Sequence, residues 1–318
     1  MGLSNSTKAK LILLFLSPIS AELVSGSTPL LLFIQPIVLL TFLGYYGAAV
    51  LIIREINARW HKGYVSLFIL GMAYGIIEEG LTIRSFFSTT WPDLGILATY
   101  GRWAGVNWVW AVSLTLIHAV ISISVPIFIV DLMYPELKGK SLIGNTGLVI
   151  LSLIFIADAL FLILLIPAIV EPIPYISAII IVILLGVIAY KIPPQFEFRG
   201  SKPLLHSSIY FAVMTFWSVF QWMIFDNMPY LNLHPIITIS FGVLLYLFVY
   251  QWLRLFNWNS DLPKIWSVVG VYSFFFFIDF LLEFVFISPT EPGHGMAFVA
   301  IGFFMFLMYV RRKIKARN

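Results

Sequence analysis

The 318-residue chain predicts an all-α fold: a polytopic bundle of about ten transmembrane helices that forms one integral membrane domain over residues 1–318. Hydrophobic residues make up 60% of the chain and charged residues only 11%, against about 25% charged residues in a soluble domain. The mean hydropathy is +0.97. The chain has no cysteine, which excludes disulfides, thiolate catalysis and Cys-ligated zinc.

Crossing a bilayer takes about 20 mostly apolar residues, and ten segments meet this condition. They cover residues 9–25, 29–53, 63–87, 104–131, 144–168, 173–191, 205–225, 235–254, 264–287 and 295–311. The first segment contains Pro18 and follows Lys8 and Lys10, which is also the form of a signal peptide. Because nine further segments follow, we interpret it as a retained helix.

The basic residues predict the orientation, because Lys and Arg mark cytoplasmic loops. With a cytoplasmic N-terminus, 17 of the 19 Lys and Arg residues fall on the inner side, including the tail after residue 310. Only Arg84 and Arg102 fall outside, around a loop expected to lie in the membrane interface. We predict a cell-membrane protein with both termini in the cytoplasm. Its expected surroundings are the lipid bilayer, and the net charge of +4 does not indicate nucleic acid.

Ionisable residues within spans usually face the interior of a bundle. They occur here in spans one, three, four, five and nine, which we therefore place around a polar centre, with spans six, eight and ten toward lipid. A rise of about 1.5 Å per residue puts most of them in the outer half, where we predict a water-accessible cavity. The expected substrate-contacting or cavity-lining residues are Glu22, Arg102, Asn107, Asp158, Asp279 and Glu283.

Glu78 and Glu79 are adjacent inside the third span, where one ionised side chain costs roughly 2.5–3.5 kcal/mol on insertion scales. Either carboxylate is a candidate general base that activates a water. His118 on the next span could orient that water or stabilise an oxyanion. It could equally be a structural histidine bonded to a nearby hydroxyl. Gly71 and Gly75 form a GxxxG spacing, which predicts close packing of this span against another.

The sequences EEGLTIR (Glu78–Arg84) and LTLIH (Leu114–His118) resemble motifs of the glutamate-dependent intramembrane proteases. This superfamily includes the CAAX prenyl-protease and bacteriocin-processing (CPBP) enzymes and the PrsW-type enzymes. The resemblance implies catalytic roles for Glu78, Glu79, His118 and Arg84, and a membrane-embedded peptide or a lipidated substrate.

The chain departs from the family pattern at three points. Arg84 comes one residue late, so it is about 140° from Glu79 on an ideal helix and would meet it only if a π-bulge absorbs one residue. Leu114 replaces an aromatic residue, and the third, His-containing motif is missing.

Two other classes of function remain open. One is a secondary transporter that uses buried carboxylates, since ten helices divide into two sets of five. The other is a non-catalytic scaffold whose buried acids fix the register of the helices. No metal-ligand spacing such as H-E-x-x-H occurs, so we expect no metal and no other cofactor.

Overall fold

The computed structural model describes residues 2–285 and 294–317, which form an almost entirely helical bundle. The helices are α1 (Asn5–Pro18), α2 (Pro36–Arg59), α3 (Tyr64–Thr82), α4 (Trp108–Met133), α5 (Asn145–Leu165), α6 (Pro172–Lys191), α7 (Ser207–Leu231), α8 (Pro235–Arg254), α9 (Leu262–Phe284) and α10 (Met296–Lys315). Within these residues, the eight helices α2 to α9 are long and apolar enough to cross a membrane. The predicted class, a polytopic helical membrane protein, is therefore confirmed.

The regions of the first and last predicted spans are also helical, but the observed helices, over residues 5–23 and 296–315, each carry at least three charged residues. In the first they are Lys8, Lys10 and Glu22, and in the last they are the basic residues near the end of α10. That these two helices cross the membrane stays a prediction.

The shorter elements lie between the long helices. They are the helical turns Leu30–Phe33, Pro92–Ala98, Pro135–Leu137 and Pro194–Phe196, and the antiparallel strands β1 (Arg102–Trp103) and β2 (Val106–Asn107). The loop predicted to lie in the interface thus contains a short helix and a hairpin. Leu94 and Leu97 of this loop are buried against the bundle.

Within the residues that the structure describes, five stretches have π-helical geometry, which accommodates one extra residue in a turn and is frequent at functional sites. They are Ile19–Leu23 directly after α1, Leu43–Gly47 in α2, Ile77–Thr82 in α3, Ala119–Ser124 in α4 and Met223–Asn227 in α7. Four of them belong to the first four predicted spans, and side chains in or beside these four turns meet in one place, described below.

The arrangement of the helices corrects part of the prediction. Helix α5 was expected at the polar centre but has no buried residue, whereas Tyr45 and Tyr46 of α2 are fully buried. The single acid of α5, Asp158, is only half-buried, so it does not draw the helix into the interior. Helices α6 and α8 are largely exposed, as expected of lipid-facing helices. Helix α10 differs from its prediction, because one of its faces is buried.

Helices α3 and α4 approach closely at the two glycines of the GxxxG spacing. A Cβ atom at Gly71 would lie 2.8 Å from Cα of Ala119, and one at Gly75 would lie 3.1 Å from Cβ of His118. The absence of side chains at these positions lets the two backbones come together, as the sequence predicts. This contact places the turn with Glu78 and Glu79 next to His118.

Candidate functional site

Glu78, Glu79 and His118 form one cluster in the structure. Nδ1 of His118 lies 3.1 Å from Oε2 of Glu78, and Nε2 lies 3.5 Å from Oε1 of Glu79. The two carboxylates are adjacent in sequence, yet each faces a different nitrogen of the same ring. The imidazole is therefore held between two acids that come from a single π-helical turn.

The cluster is mostly shielded from solvent. The side chain of Glu78 is 3% exposed, that of His118 is 9% exposed and that of Glu79 is 14% exposed. Buried charges need a partner, because the loss of hydration is otherwise uncompensated. Glu79 is the most accessible of the three groups and the one that a water molecule can reach most directly.

The hydroxyl of Tyr46 links Glu78 to a second acid. It lies within hydrogen-bond distance of Oε1 of Glu22 and of Oε1 of Glu78. A phenol carries one proton and can donate to only one of them at a time. For both contacts to be hydrogen bonds, one carboxyl group has to supply the other proton, so the three groups share their protons.

The polar contacts continue in both directions from these groups. Oγ1 of Thr28 donates to Oε2 of Glu22 at 2.6 Å, the Ser85 hydroxyl donates to Glu79, and Nε1 of Trp110 donates to Oγ of Ser85 at 3.0 Å. The result is one unbroken chain of contacting polar groups. In order it comprises Thr28, Glu22, Tyr46, Glu78, His118, Glu79, Ser85 and Trp110.

Serine hydroxyls of the first predicted span stabilise the π-helical turn that follows His118. Oγ of Ser17 donates to the carbonyl oxygen of Ser122, and Oγ of Ser20 donates to that of Ile121, both at 2.6 Å. These bonds supply donors to the irregular backbone of the turn. Oγ of Ser122 also lies 2.9 Å from Nδ1 of His118, which is the hydroxyl contact that a structural histidine was expected to make.

Arg84, to which the resemblance gives a catalytic role, forms no ion pair with Glu79 among the described residues. The required π-helical turn exists, but α3 ends at Thr82 and Arg84 adopts a left-handed backbone conformation with φ of 67°. Its guanidinium donates to the carbonyl oxygens of Ile163, at 2.9 Å, and of Ile166. Arg84 therefore caps the carbonyl end of α5, where helical carbonyls lack partners within the helix.

Arg102 and Asn107 organise the loop between α3 and α4 and do not join the Glu78–His118–Glu79 cluster. Arg102 donates to the carbonyl oxygens of Phe87, Ser88 and Ala98, and burial lowers the pKa of its guanidinium. Oδ1 of Asn107 accepts from the Trp110 amide at 3.1 Å and so caps the start of α4. Backbone groups thus already occupy the polar atoms that were expected to contact a substrate.

The remaining predicted residues separate into different places. Glu22 joins the cluster, but Asp158 lies against Gly44 at the edge of the bundle. Asp279 is fully buried near Gly26, and neither of its oxygens has a hydrogen-bond partner among the described residues. Oε2 of Glu283 accepts from the Ala297 amide at 3.2 Å, at the start of α10.

The structure has a cavity of about 1190 Å³, but not where it was predicted. It lies among segments that the charge pattern assigns to the cytoplasmic side, with walls from α3, α4, α7, α8 and α9. None of the predicted site residues lines it. Val120 and Ser124 do, and both belong to the turn that follows His118. A second cavity, of about 510 Å³, is lined by the loop between α3 and α4, including Arg102, and by the start of α8. The predicted cavity enclosed by α1, α3, α4 and α9 stays a prediction.

The cluster also offers ligand atoms to a metal ion. One ligand atom from each of Glu78, Glu79 and His118 can be chosen so that all three lie within 4.8 Å of one another. Sequence spacing could not indicate this set, because its members come from two helices. The two ring nitrogens point in different directions, however, and each already faces its own carboxylate. A metal ion bound at one ring nitrogen would meet the carboxylate beside that nitrogen. The second carboxylate would stay beside the other ring nitrogen.

Sequence reasoning missed the uncharged members of the cluster, chiefly Tyr46, Ser85 and Ser122. The available signal was the LGYYG stretch of α2, in which two tyrosines lie between glycines inside an apolar span. Hydroxyl residues are common in such spans, so this signal has little specificity without the fold.

The fold and the cluster define a class: a polytopic helical membrane protein with a buried Glu-His-Glu site. The chain belongs to an uncharacterized membrane protein family, whose family model matches residues 11–313. No curated protein and no solved structure is significantly similar to the chain. The description of the family names no activity, so the resemblance to the glutamate-dependent proteases depends on the two motifs alone.

Proposed function

We propose that the protein is a membrane-embedded, metal-independent hydrolase of the glutamate type. The observation that carries the proposal is the imidazole of His118 between two carboxylates, at 3.1 Å from Glu78 and 3.5 Å from Glu79. Such an arrangement supplies a base for water and a donor for the developing oxyanion at one place.

The two glutamates have different roles in this proposal. Glu78 is the more deeply buried, is held by Tyr46 and lies 3.1 Å from Nδ1 of His118, whose hydrogen bond is with Oγ of Ser122. Glu79 is more accessible, and its 3.5 Å distance to Nε2 is long for a hydrogen bond. In this proposal a water or a substrate oxygen lies beside the pair and contacts both groups, because 3.5 Å leaves no room for an oxygen between the two atoms.

The reaction assigned to these groups is the hydrolysis of an acyl bond. Glu79 accepts a proton from water as the water oxygen attacks the carbonyl carbon. His118 donates from Nε2–H to the oxyanion, and the proton on Glu79 passes to the leaving amine or alcohol as the acyl bond breaks. By resemblance, the substrate is a membrane-embedded peptide or a lipidated chain.

The test is cleavage of reporter peptides with a transmembrane or lipidated segment by the purified protein in liposomes. Glu79→Gln and His118→Ala should each lower the rate by about 10²–10⁴-fold, the range for loss of a general base or an oxyanion donor. Asp158→Asn is the matched control, because it changes a half-buried acid outside the cluster. Full activity in both cluster variants would refute the proposal.

A metal-dependent hydrolase is distinguished in the same assay. The three-residue ligand group is the observation that favours it. Under the proposal, chelator leaves the rate unchanged. A rate that falls with chelator and returns with added zinc would replace the metal-independent mechanism.

The unbroken chain of polar groups favours proton-coupled transport as a second candidate. Tyr46→Phe separates the two functions, because it interrupts the chain between Glu22 and Glu78 but leaves Glu79 beside His118. A transporter should lose proton flux, measured with a pH-sensitive dye inside liposomes, and should show no cleavage by any form of the protein. If the protein neither cleaves substrates nor carries protons, the scaffold interpretation remains.

A further inference from the structure

The 1190 Å³ cavity is independent of the Glu-His-Glu cluster and has its own chemistry. Its rim includes the start of α3, the segment after α4 and the segment after α6, all on the side predicted to be cytoplasmic. Its volume exceeds the roughly 300–1,000 Å³ typical of pockets for small ligands. The space is large enough for a lipid-sized molecule.

The rim has basic groups that form no salt bridge among the described residues. Lys62, Lys138 and Arg199 line the cavity, and none of them forms a salt bridge in the part of the chain that the structure describes. Nζ of Lys62 donates to the carbonyl oxygen of Ile192, at 3.1 Å, and lies 5.9 Å from the centre of the Tyr190 ring. Nζ of Lys138 lies 4.7 Å from the centre of the Tyr64 ring.

The acids of the rim, in contrast, already have partners. Asp131 accepts from the Tyr64 hydroxyl at 2.9 Å, and Asp261 pairs with Lys264 at 2.7 Å. Oε1 of Glu197 accepts from the Val65 amide at 3.2 Å, at the start of α3. The lining therefore has four basic and three acidic side chains, and Arg54, 4.0 Å from Asp131, adds a further cation beside it. Its net positive charge is complementary to an anion.

The deeper wall is apolar. Phe68, Met214, Trp217 and Val271 contribute to it, together with the Tyr246 ring. The hydroxyl oxygens of Ser124 and Tyr246 are buried and have no hydrogen-bond partner among the described residues. The wall thus suits a hydrocarbon chain.

We propose that this cavity binds an anionic phospholipid, with its phosphate at Lys62, Lys138 and Arg199 and one acyl chain along the apolar wall. Basic pockets between membrane helices on the cytoplasmic side recognise lipid head groups through the same combination of charge and burial. The proposal does not depend on the hydrolase function, because no residue of the Glu-His-Glu cluster lines the cavity.

Native mass spectrometry of the purified full-length protein tests the binding. The probes are phosphatidylglycerol and phosphatidylcholine with identical acyl chains, added at equal concentration. Phosphatidylglycerol should be retained preferentially. Changing Lys62, Lys138 and Arg199 to Gln should weaken its binding by about fivefold for each cation removed. The matched control changes the exposed Lys140, Arg312 and Lys315, which lie outside the cavity, and should leave retention unchanged.

A second measurement locates the acyl chain. Phosphatidylglycerol brominated on its acyl chains should quench the fluorescence of Trp217, and Trp217→Phe should remove that part of the quenching. Equal retention of the two lipids by the wild-type protein would overturn the proposal, as would equal losses in the rim and control variants. Competition by glycerol phosphate at the same affinity would also overturn it, because the apolar wall would then contribute nothing.

Discussion

Tyr46 shows how a single uncharged side chain permits several acids to share one buried site. Its hydroxyl is the contact between Glu22 and Glu78, and the ring is buried among Tyr45, Tyr74 and His118. Without this hydroxyl, the two carboxyl groups would lose the partner they share inside the membrane, where water cannot readily replace it.

We predict that Tyr46→Phe destabilises the protein by about 1–3 kcal/mol, the cost of leaving a buried polar group unpaired. Thermal unfolding in detergent measures the change. Tyr45→Phe is the matched control, because its hydroxyl donates only to Oγ1 of Thr82, at 2.8 Å, and both groups are neutral. If Tyr45→Phe costs as much as Tyr46→Phe, the sharing of protons among Glu22, Tyr46 and Glu78 is not a stabilising feature.

Arg84 carries the second prediction at this scale. Arg84→Gln should loosen the end of α5, because hydrogen bonds from a charged donor to the carbonyls of Ile163 and Ile166 are lost. Such bonds contribute about 1.5–3 kcal/mol. Hydrogen exchange should rise in the last turn of α5, whereas the exposed Lys191→Gln at the end of α6 should leave exchange in its own last turn unchanged. Unchanged exchange in α5 would contradict the capping role.

The contact of α3 with α4 is the feature of the helix pair that assembles the site. The glycines bring the backbones together, and the π-helical turns then direct the carboxylates of α3 toward the imidazole of α4. The first predicted span joins the pair through the hydroxyls of Ser17 and Ser20. The site therefore requires α3, α4 and the first predicted span together, and neither α3 nor α4 forms it alone.

Gly71→Ala should be destabilising, although alanine is normally favoured over glycine within a helix by about 0.5–1 kcal/mol. The added Cβ would lie 2.8 Å from Cα of Ala119, so backbone has to move, and overpacking of this kind costs about 1–3 kcal/mol. Gly302→Ala in α10 is the control, since no heavy atom lies within 4 Å of its added Cβ. Thermal unfolding should show a lower midpoint for Gly71→Ala and an unchanged or higher one for Gly302→Ala. The opposite order would mean that the α3–α4 contact is not tight.

The whole molecule combines two regions of different chemistry. The Glu-His-Glu cluster occupies the centre of α1 to α4, and the basic-rimmed cavity lies between α3 and α4 on one side and α7 to α9 on the other. The two regions come closest at the turn Ala119–Ser124, which carries Ser122 beside His118 and Ser124 in the cavity wall.

The orientation of the whole molecule gives the last prediction. Reporter fusions after Lys140, Lys202 and Arg317 should all report the cytoplasm, because Lys and Arg concentrate in these segments. A fusion between Trp91 and Arg102 should report the outside and serves as the contrast. An external signal at Lys140, Lys202 or Arg317 would invalidate the ten-span arrangement with both termini inside.

The sequence by itself determined the class of the protein and the positions of its helices, because the free energy of placing a segment in lipid depends mainly on local composition. It also determined which chemical groups are available: two adjacent acids, one histidine on the next span and two glycines that allow close packing.

Only the tertiary structure decided which groups meet. Whether Arg84 turns toward Glu79 or toward α5 depends on where α3 ends and on the backbone conformation after it, neither of which hydropathy reflects. The rotation of each helix about its axis decides which residues face inward. It places Tyr46 at the centre, α5 at the edge and the cavity on the cytoplasmic side. A π-helical turn shifts that rotation by one residue, and four such turns lie in the first four predicted spans. The face that each helix presents beyond such a turn is therefore fixed by packing between helices and not by the regular periodicity of the sequence.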